Sequence, residues 1–230
     1  MTIIHIETST NVCSVAASHN GKCIFETANR DGLNHAAMLS PFVQQALDEL
    51  NKLNLKPDAI AVSSGPGSYT GLRIGVSTAK GLCYGFNVPM ISISTLEIMV
   101  MEVLNSLKPE ADTLLCPMID ARRMEVYTVF YNPALEIKNE ISAEIINNDS
   151  FIDILEKYTV YFFGNGADKC KSVLTHPNAN FITSIEPLAV NMIQLAERKF
   201  KNKDFEDVAY FVPFYLKEFQ ATIPKNLLKE

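Results

Sequence analysis

A chain of 230 residues with 47% apolar side chains has material for one large buried core or for two domains of roughly 100 residues each. Its formal charge of −6 argues against unaided binding to nucleic acid, because Lys and Arg contacts to phosphate supply most of that affinity, and five cysteines without a CxxC pair suit neither a disulfide framework nor a zinc cluster. No apolar run approaches the ~20 residues that cross a bilayer, and the N-terminus lacks a basic stretch ahead of an apolar one, so no membrane role and a cytoplasmic location are expected.

Residues 2–8, 13–18 and 22–27 alternate in the manner of half-buried strands, and His19-Asn20-Gly21 marks a tight hairpin between the last two. A helical period covers 35–51. A buried strand at 59–64 leads through a glycine-rich turn into a helix over 70–86, then a strand at 89–94 and a helix to 107. The order is βββαβαβα. After Pro109 the same order repeats more weakly, with strands at 114–119, 124–131 and 137–146, a helix at 150–157, a strand at 160–164, a helix from 167, a strand at 181–183 and a helix at 188–200. Two such lobes, 1–109 and 110–230, make an α/β fold: a duplicated ribonuclease-H-like unit, the architecture of the actin, hexokinase and Hsp70 superfamily. Residues 209–221 are rich in rings (Tyr210, Phe211, Phe214, Tyr215, Phe219) and read as a strap packed on the body.

The stretch Ser63-Ser64-Gly65-Pro66-Gly67-Ser68-Tyr69-Thr70-Gly71-Leu72-Arg73 joins a strand to a helix. Such a turn aims backbone N–H groups and a helix N-terminus at whatever lies above it, which suits an anion. It lacks the Gly-Lys-Ser/Thr of a Walker loop and misses the Rossmann spacing by one residue at Gly71. A tight turn that lets helix and strand pack closely explains the glycines equally well. Glu7 and Asp120 stand at corresponding strand ends of the two lobes, where this architecture places ligands. Glu7, Thr8, Ser9, Gly65, Gly67, Ser68 and Asp120 are therefore the candidate residual nucleotide or anion site. His35 opens a helix and reads as a cap or interface residue; His5, His19 and His176 read as structural. Arg122-Arg123 suits either a partner's carboxylate, an RNA phosphate or plain solvated surface.

The block 65–75, continuing through Ser77-Thr78-Ala79-Lys80-Gly81-Leu82 to Asn87-Val88-Pro89, resembles the central signature of the TsaB family, formerly called YeaZ. His5-Ile6-Glu7-Thr8-Ser9-Thr10 with Cys13-Ser14-Val15-Ala16, the helix start at 35–41, Ile119-Asp120-Ala121-Arg122-Arg123 with Glu125-Val126-Tyr127, and Pro213-Phe214-Tyr215-Leu216 are similar to that family too. The likeness is dense over 1–131 and thin beyond.

That resemblance implies a non-catalytic scaffold for a TsaD-like catalytic subunit, which forms N6-threonylcarbamoyladenosine in tRNAs reading codons that start with adenine. It implies a TsaE-like ATPase as a further partner, tRNA met only through the complex, and a homodimer when the chain is alone. No cofactor is expected, save ATP or ADP at an interface with partners, and no metal. The catalytic relative carries two histidines four apart on one helix, a spacing that suits a metal; registered on Asn87-Val88-Pro89, those positions here are Thr95 and Met99, with Glu97 between. The relative's acidic pair falls on Asn11 and Val12, and its Ser-Gly-Gly-His loop falls near Asp120-Ala121-Arg122-Arg123. Losing all three together reads as a pseudoenzyme that kept the fold. The competing reading is an autonomous ATP-dependent phosphotransferase of the same superfamily, and the absence of phosphate-binding glycines near Asp120 favours the scaffold. A metallopeptidase lacks its HExxH here.

The partner surface is expected on the helices at 35–51 and 70–86. On the first, Met38, Leu39, Phe42, Val43, Ala46, Leu47 and Leu50 spread over ~180°, wider than the ~100° that one core contact needs. On the second, Leu72, Val76, Ala79, Leu82, Cys83 and Phe86 form an apolar stripe while Gly71, Thr78, Gly81 and Gly85 gather beside it with Ile74. Interior glycines each cost ~1 kcal/mol of helix propensity, so this small face calls for a close neighbour.

Overall fold

The computed structural model describes residues 1–32 and 34–217. Three antiparallel strands, β1 (Thr2–Glu7), β2 (Cys13–His19) and β3 (Lys22–Asn29), are followed by α1 (His35–Lys52), β4 (Ala59–Gly65), α2 (Tyr69–Phe86), β5 (Met90–Ser94) and α3 (Thr95–Ser106). The β2–β3 hairpin closes on Asn20 and Gly21, both left-handed, as that dipeptide favours. The sheet runs β3-β2-β1-β4-β5, with β4 and β5 parallel to β1.

The second sheet repeats that order. It comprises β6 (Thr113–Asp120), β7 (Glu125–Thr128), β8 (Ser142–Ile145), β9 (Thr159–Phe163) and β10 (Ala179–Ile182), arranged β8-β7-β6-β9-β10. Duplicated connectivity of this kind is the two-lobed ribonuclease-H-like fold. The second lobe is leaner than expected. The helix expected at 150–157 is one turn, α4 (Ile152–Leu155), and that from 167 is a 3₁₀ turn at Asp168–Cys170. Neither stretch has the length that helix nucleation needs in the absence of a large packing face.

Helix α3 lies between the sheets. Ile98 and Met101 pack on the first sheet with Ile3, Ala61 and Ile93, while Leu96, Met99 and Val103 pack on the second with Leu115, Ile119 and Phe163. Its all-round apolar surface fits burial on both sides. The chain then returns: Ala189 and Met192 of a 3₁₀ turn, and Leu195 and Ala196 of α5 (Ile193–Lys201), cover the first sheet rather than the second. The strap follows it back, with Val208 and Phe211 against the first core and Pro213 buried. Phe219 and the rest of 218–221 lie outside the described residues.

Candidate functional site

The ends of β1 and β4 bring Glu7, Thr8, Ser9, Gly65, Gly67 and Ser68 together. Ser68 caps α2, its hydroxyl oxygen accepting from Gly71 N at 3.3 Å. Its own N–H donates to Ser9 O at 2.6 Å, and Thr8 Oγ1 donates to Gly71 O at 2.8 Å. Two of the turn's donors, Ser68 N and Gly71 N, are thus met by the chain itself. A Cβ at Gly67 would stand 2.3 Å from Ser9 O, and one at Gly65, φ +105°, 2.6 Å from Phe214 O. These glycines admit backbone, which is the close-packing role that the sequence allowed them.

Glu7 is fully buried, accepting from Ser9 N at 2.5 Å through Oε1, while Oε2 has no hydrogen-bond partner within 3.5 Å among the described residues. Burial pushes its carboxyl up to about 7 against the hydrogen bonds from Ser9, Ser63 and Thr8, which favour the ionised form. His5, two residues earlier on the same side of the strand, is held down at about 3 by burial, so its ring is neutral. His35, the first residue of α1, donates from Nε2 to Thr10 O at 2.7 Å, which ties the helix start to the β1–β2 loop and does not cap the helix. Asp120 ends β6 as Glu7 ends β1, in a different setting: it is exposed and paired with Lys169.

Glycines do lie beside Asp120, contrary to expectation. They come from the far end of β9: Asn165 Oδ1 accepts from Asp120 N at 2.9 Å, and a Cβ at Gly166 would meet Asp120 N at 3.0 Å. Gly164-Asn165-Gly166 follows β9 as Gly65-Pro66-Gly67 follows β4, and the matching Gly-x-Gly after each fourth strand was the signal in the sequence. Gly164, φ +102°, faces Met99, whose Cε would be 2.1 Å from an added Cβ, so here too the space is filled by protein.

The positions that correspond to metal ligands in the catalytic relative do not fit a metal. Thr95 is buried and Met99 is a thioether packed on Gly164, with neither an imidazole nor a carboxylate on that pair. Glu97 is taken by Arg198 at 2.8 Å. Asn11 is exposed and Val12 buried, so they make no acidic pair.

Of the residues expected to meet a partner, Phe42 and Gly71 are buried, and Met38 and Ile74 are half-buried against the first core. Phe42 is buried in the first core, and Met38 and Leu47 pack on the same cluster, so the wide arc of α1 is used internally. Gly71 is buried as well; a Cβ there would stand 2.1 Å from Thr8 O and 3.0 Å from His35. The small face of α2 is covered at its first turn and open by its last two. Among the described residues nothing lies within 4 Å of an added Cβ at Gly81 or Gly85. Ile74 and Thr78 are half-exposed, and Tyr84 beside them is 89% exposed.

Residues 27–225 match the family model of TsaD, tRNA N6-adenosine threonylcarbamoyltransferase. The tRNA threonylcarbamoyladenosine biosynthesis protein TsaB of Bacillus subtilis (strain 168) is 30% identical to this chain over 96% of each. The chain belongs to the TsaB family. The TsaB of Buchnera aphidicola subsp. Baizongia pistaciae is 32% identical over 94% of this chain and 98% of its own, and that of Haemophilus influenzae 28% over 94% of each. In three dimensions YeaZ from Pseudomonas aeruginosa superposes with a TM-score of 0.78 at 24% identity, covering 94% of this chain and all of that one. That likeness speaks for the TsaB fold alone.

Proposed function

We propose that the chain is a non-catalytic subunit of the machinery that forms N6-threonylcarbamoyladenosine in tRNA, pairing with a TsaD-like transferase and through it with a TsaE-like ATPase. Membership of a family whose curated members are named for that biosynthesis supports the process. The observation that carries the non-catalytic reading is the closure of the strand-end turn by the chain's own backbone, Ser9 O against Gly67 and Phe214 O against Gly65. Backbone packed on these glycines gives the turn a structural role, and ATP or ADP is assigned to an interface with partners. The outer face of α2, Ile74, Thr78, Gly81, Gly85 and Tyr84, is the partner surface, and it serves a second copy when the partner is absent. tRNA is met through the complex, in the cytoplasm; among the described residues no helix is long and apolar enough to cross a membrane.

Mixing the purified chain with a TsaD-like subunit tests this. Co-elution in size-exclusion chromatography and restored modification of tRNA by the reconstituted mixture are expected, with no ATP hydrolysis by the chain alone. Turnover by the lone chain that disappears in Glu7→Gln would overturn the reading in favour of the autonomous phosphotransferase.

A further inference from the structure

The tip between β6 and β7 carries a feature that no role described so far uses. Arg122 and Arg123 hold successive left-handed positions, φ 71° and 51°, where a Cβ crowds the backbone and Gly, Asn or Asp is usual. The β2–β3 hairpin of the same chain meets that demand with Asn20 and Gly21, φ 49° and 75°. At 122–123 two arginines are kept instead, fixed by Arg122 N donating to Asp120 Oδ1 at 3.0 Å, Ala121 N to Glu125 O at 3.0 Å and Glu125 N to Arg122 O at 3.2 Å. Both side chains are exposed, and among the described residues neither forms an ion pair. An unfavourable backbone that keeps such residues points to a use for their charged heads.

Their surroundings indicate what those heads meet. Lys169 pairs with Asp120 and also donates to Glu125 O at 2.7 Å, and Lys217 of the strap pairs with Glu125. The rim's two carboxylates are thereby each taken by a lysine, and among the described residues no carboxylate pairs with Arg73, Arg122 or Arg123 on a chain of charge −6. Rings stand among these cations. Arg73 lies 4.2 Å over Tyr69 and donates to Tyr215 Oη at 3.3 Å, the two tyrosines are 4.9 Å apart, and Lys217 and Arg122 both act electrostatically on Tyr127. Guanidinium forks suit phosphate and ring faces suit bases, the combination that RNA-binding surfaces use. An acidic protein surface would use the cations and leave the rings idle.

We propose that this rim, Arg122 and Arg123 with Arg73 and the flanking tyrosines, is a contact for RNA phosphates and bases, through which the chain touches tRNA within the assembled complex. The proposal rests on the reading of the chain as a tRNA-modification subunit. Three cations on an acidic chain contribute little alone, and their effect appears once a partner supplies the rest of the binding surface.

Two full-length double variants test it, Arg122→Glu/Arg123→Glu and Arg122→Asn/Arg123→Gly, the second supplying residues that the backbone prefers. Each is mixed with the TsaD-like subunit and measured for assembly, for melting temperature, and for unmodified tRNA binding across a salt series. The expected result is intact assembly, an affinity lowered about 10-fold or more by the charge reversal, and a log–log salt slope flattened by roughly 1–2 in both variants. The Asn–Gly variant should melt no lower than the parent, which separates lost binding from lost folding. Unchanged affinity and slope in both variants overturn the proposal. So does loss of assembly by folded variants, which would assign the arginines to a partner's carboxylates. If the parent itself fails to assemble, the subunit reading falls, and the RNA contact is then judged on the lone chain with tRNA at low salt. Chemical-shift changes centred on 121–127 that vanish in the variants support it, and their absence overturns it.

Discussion

At the scale of single residues, the chain's most unusual group is the Glu7 carboxyl. Its folded value is about 7 against an ordinary 4.5, so between those values the folded state holds a proton that the unfolded state has released. Stability from this group is therefore fully present below pH 4.5, declines as pH rises, and is gone above 7, a loss of order 3 kcal/mol. His5 has the opposite sign, its stability being lost as pH falls from 6.5 toward 3. Glu7→Gln should accordingly gain on the parent as pH rises from 5 to 7 and then level off, read as the difference of melting temperatures. A difference that stays constant across that range would refute the burial argument. Two glycines give a second contrast. Gly67→Ala forces a Cβ onto Ser9 O and should cost at least about 2 kcal/mol, while Gly81→Ala meets open space and should gain about 1 kcal/mol of helix propensity. Chemical denaturation of the two variants decides it, and equal effects would contradict the assignment of which face is internal.

At the scale of elements, α1 and α2 show how one pattern can serve two ends. Both carry more apolar or small surface than a single stripe requires. On α1 the surplus is absorbed by β2, β3 and the first core, with Phe42 buried and Met38 at its margin. On α2 it is absorbed where the β1 end and His35 overlie Gly71 and where Ile74 packs on the first core, and among the described residues nothing covers Gly81 and Gly85 in the last turns. Gly81→Arg should leave the melting temperature within a few degrees of the parent, because an exposed helix Gly→Arg change carries little cost. The same variant should fail to co-elute with a TsaD-like subunit. A variant that still co-elutes, or one that unfolds, would remove this face from the partner surface. The strap behaves as an element too: Glu206 N bonds Met90 O at 2.9 Å, Lys80 Nζ bonds Ala209 O at 3.0 Å and Phe214 N bonds Ser64 O at 2.7 Å, stitching it across the first lobe before Lys217 reaches Glu125 of the second.

At the scale of the molecule, α3 decides how the lobes respond together. Met99, 1% exposed, fills the gap against Gly164 between the sheets. Met99→Ala should cost about 2–5 kcal/mol through the cavity left behind. Because both sheets pack on the same helix, unfolding followed by far-ultraviolet dichroism and by tyrosine fluorescence should keep one shared midpoint. Separated midpoints would mean that the lobes are held by the strap and not by α3.

The sequence by itself determined which strands alternate, where the turns fall and that the unit is duplicated, because period and turn chemistry are local: Asn20-Gly21 closes its hairpin and residues 2–107 follow their expected order with shifts of a residue or two. The pairing of Glu7 with Asp120 as corresponding strand ends was legible for the same reason. What covers a face is not local. That Gly71 backs onto Thr8, that Phe42 is used by the core, that Gly164-Asn165-Gly166 sits beside Asp120, and that α5 and the strap return to the first sheet all depend on contacts between residues far apart in the chain. Periodicity specifies that a side of a helix is apolar or small; only the packing of the sheets around α3 decides which of those sides is filled by the protein itself and which is left for another molecule.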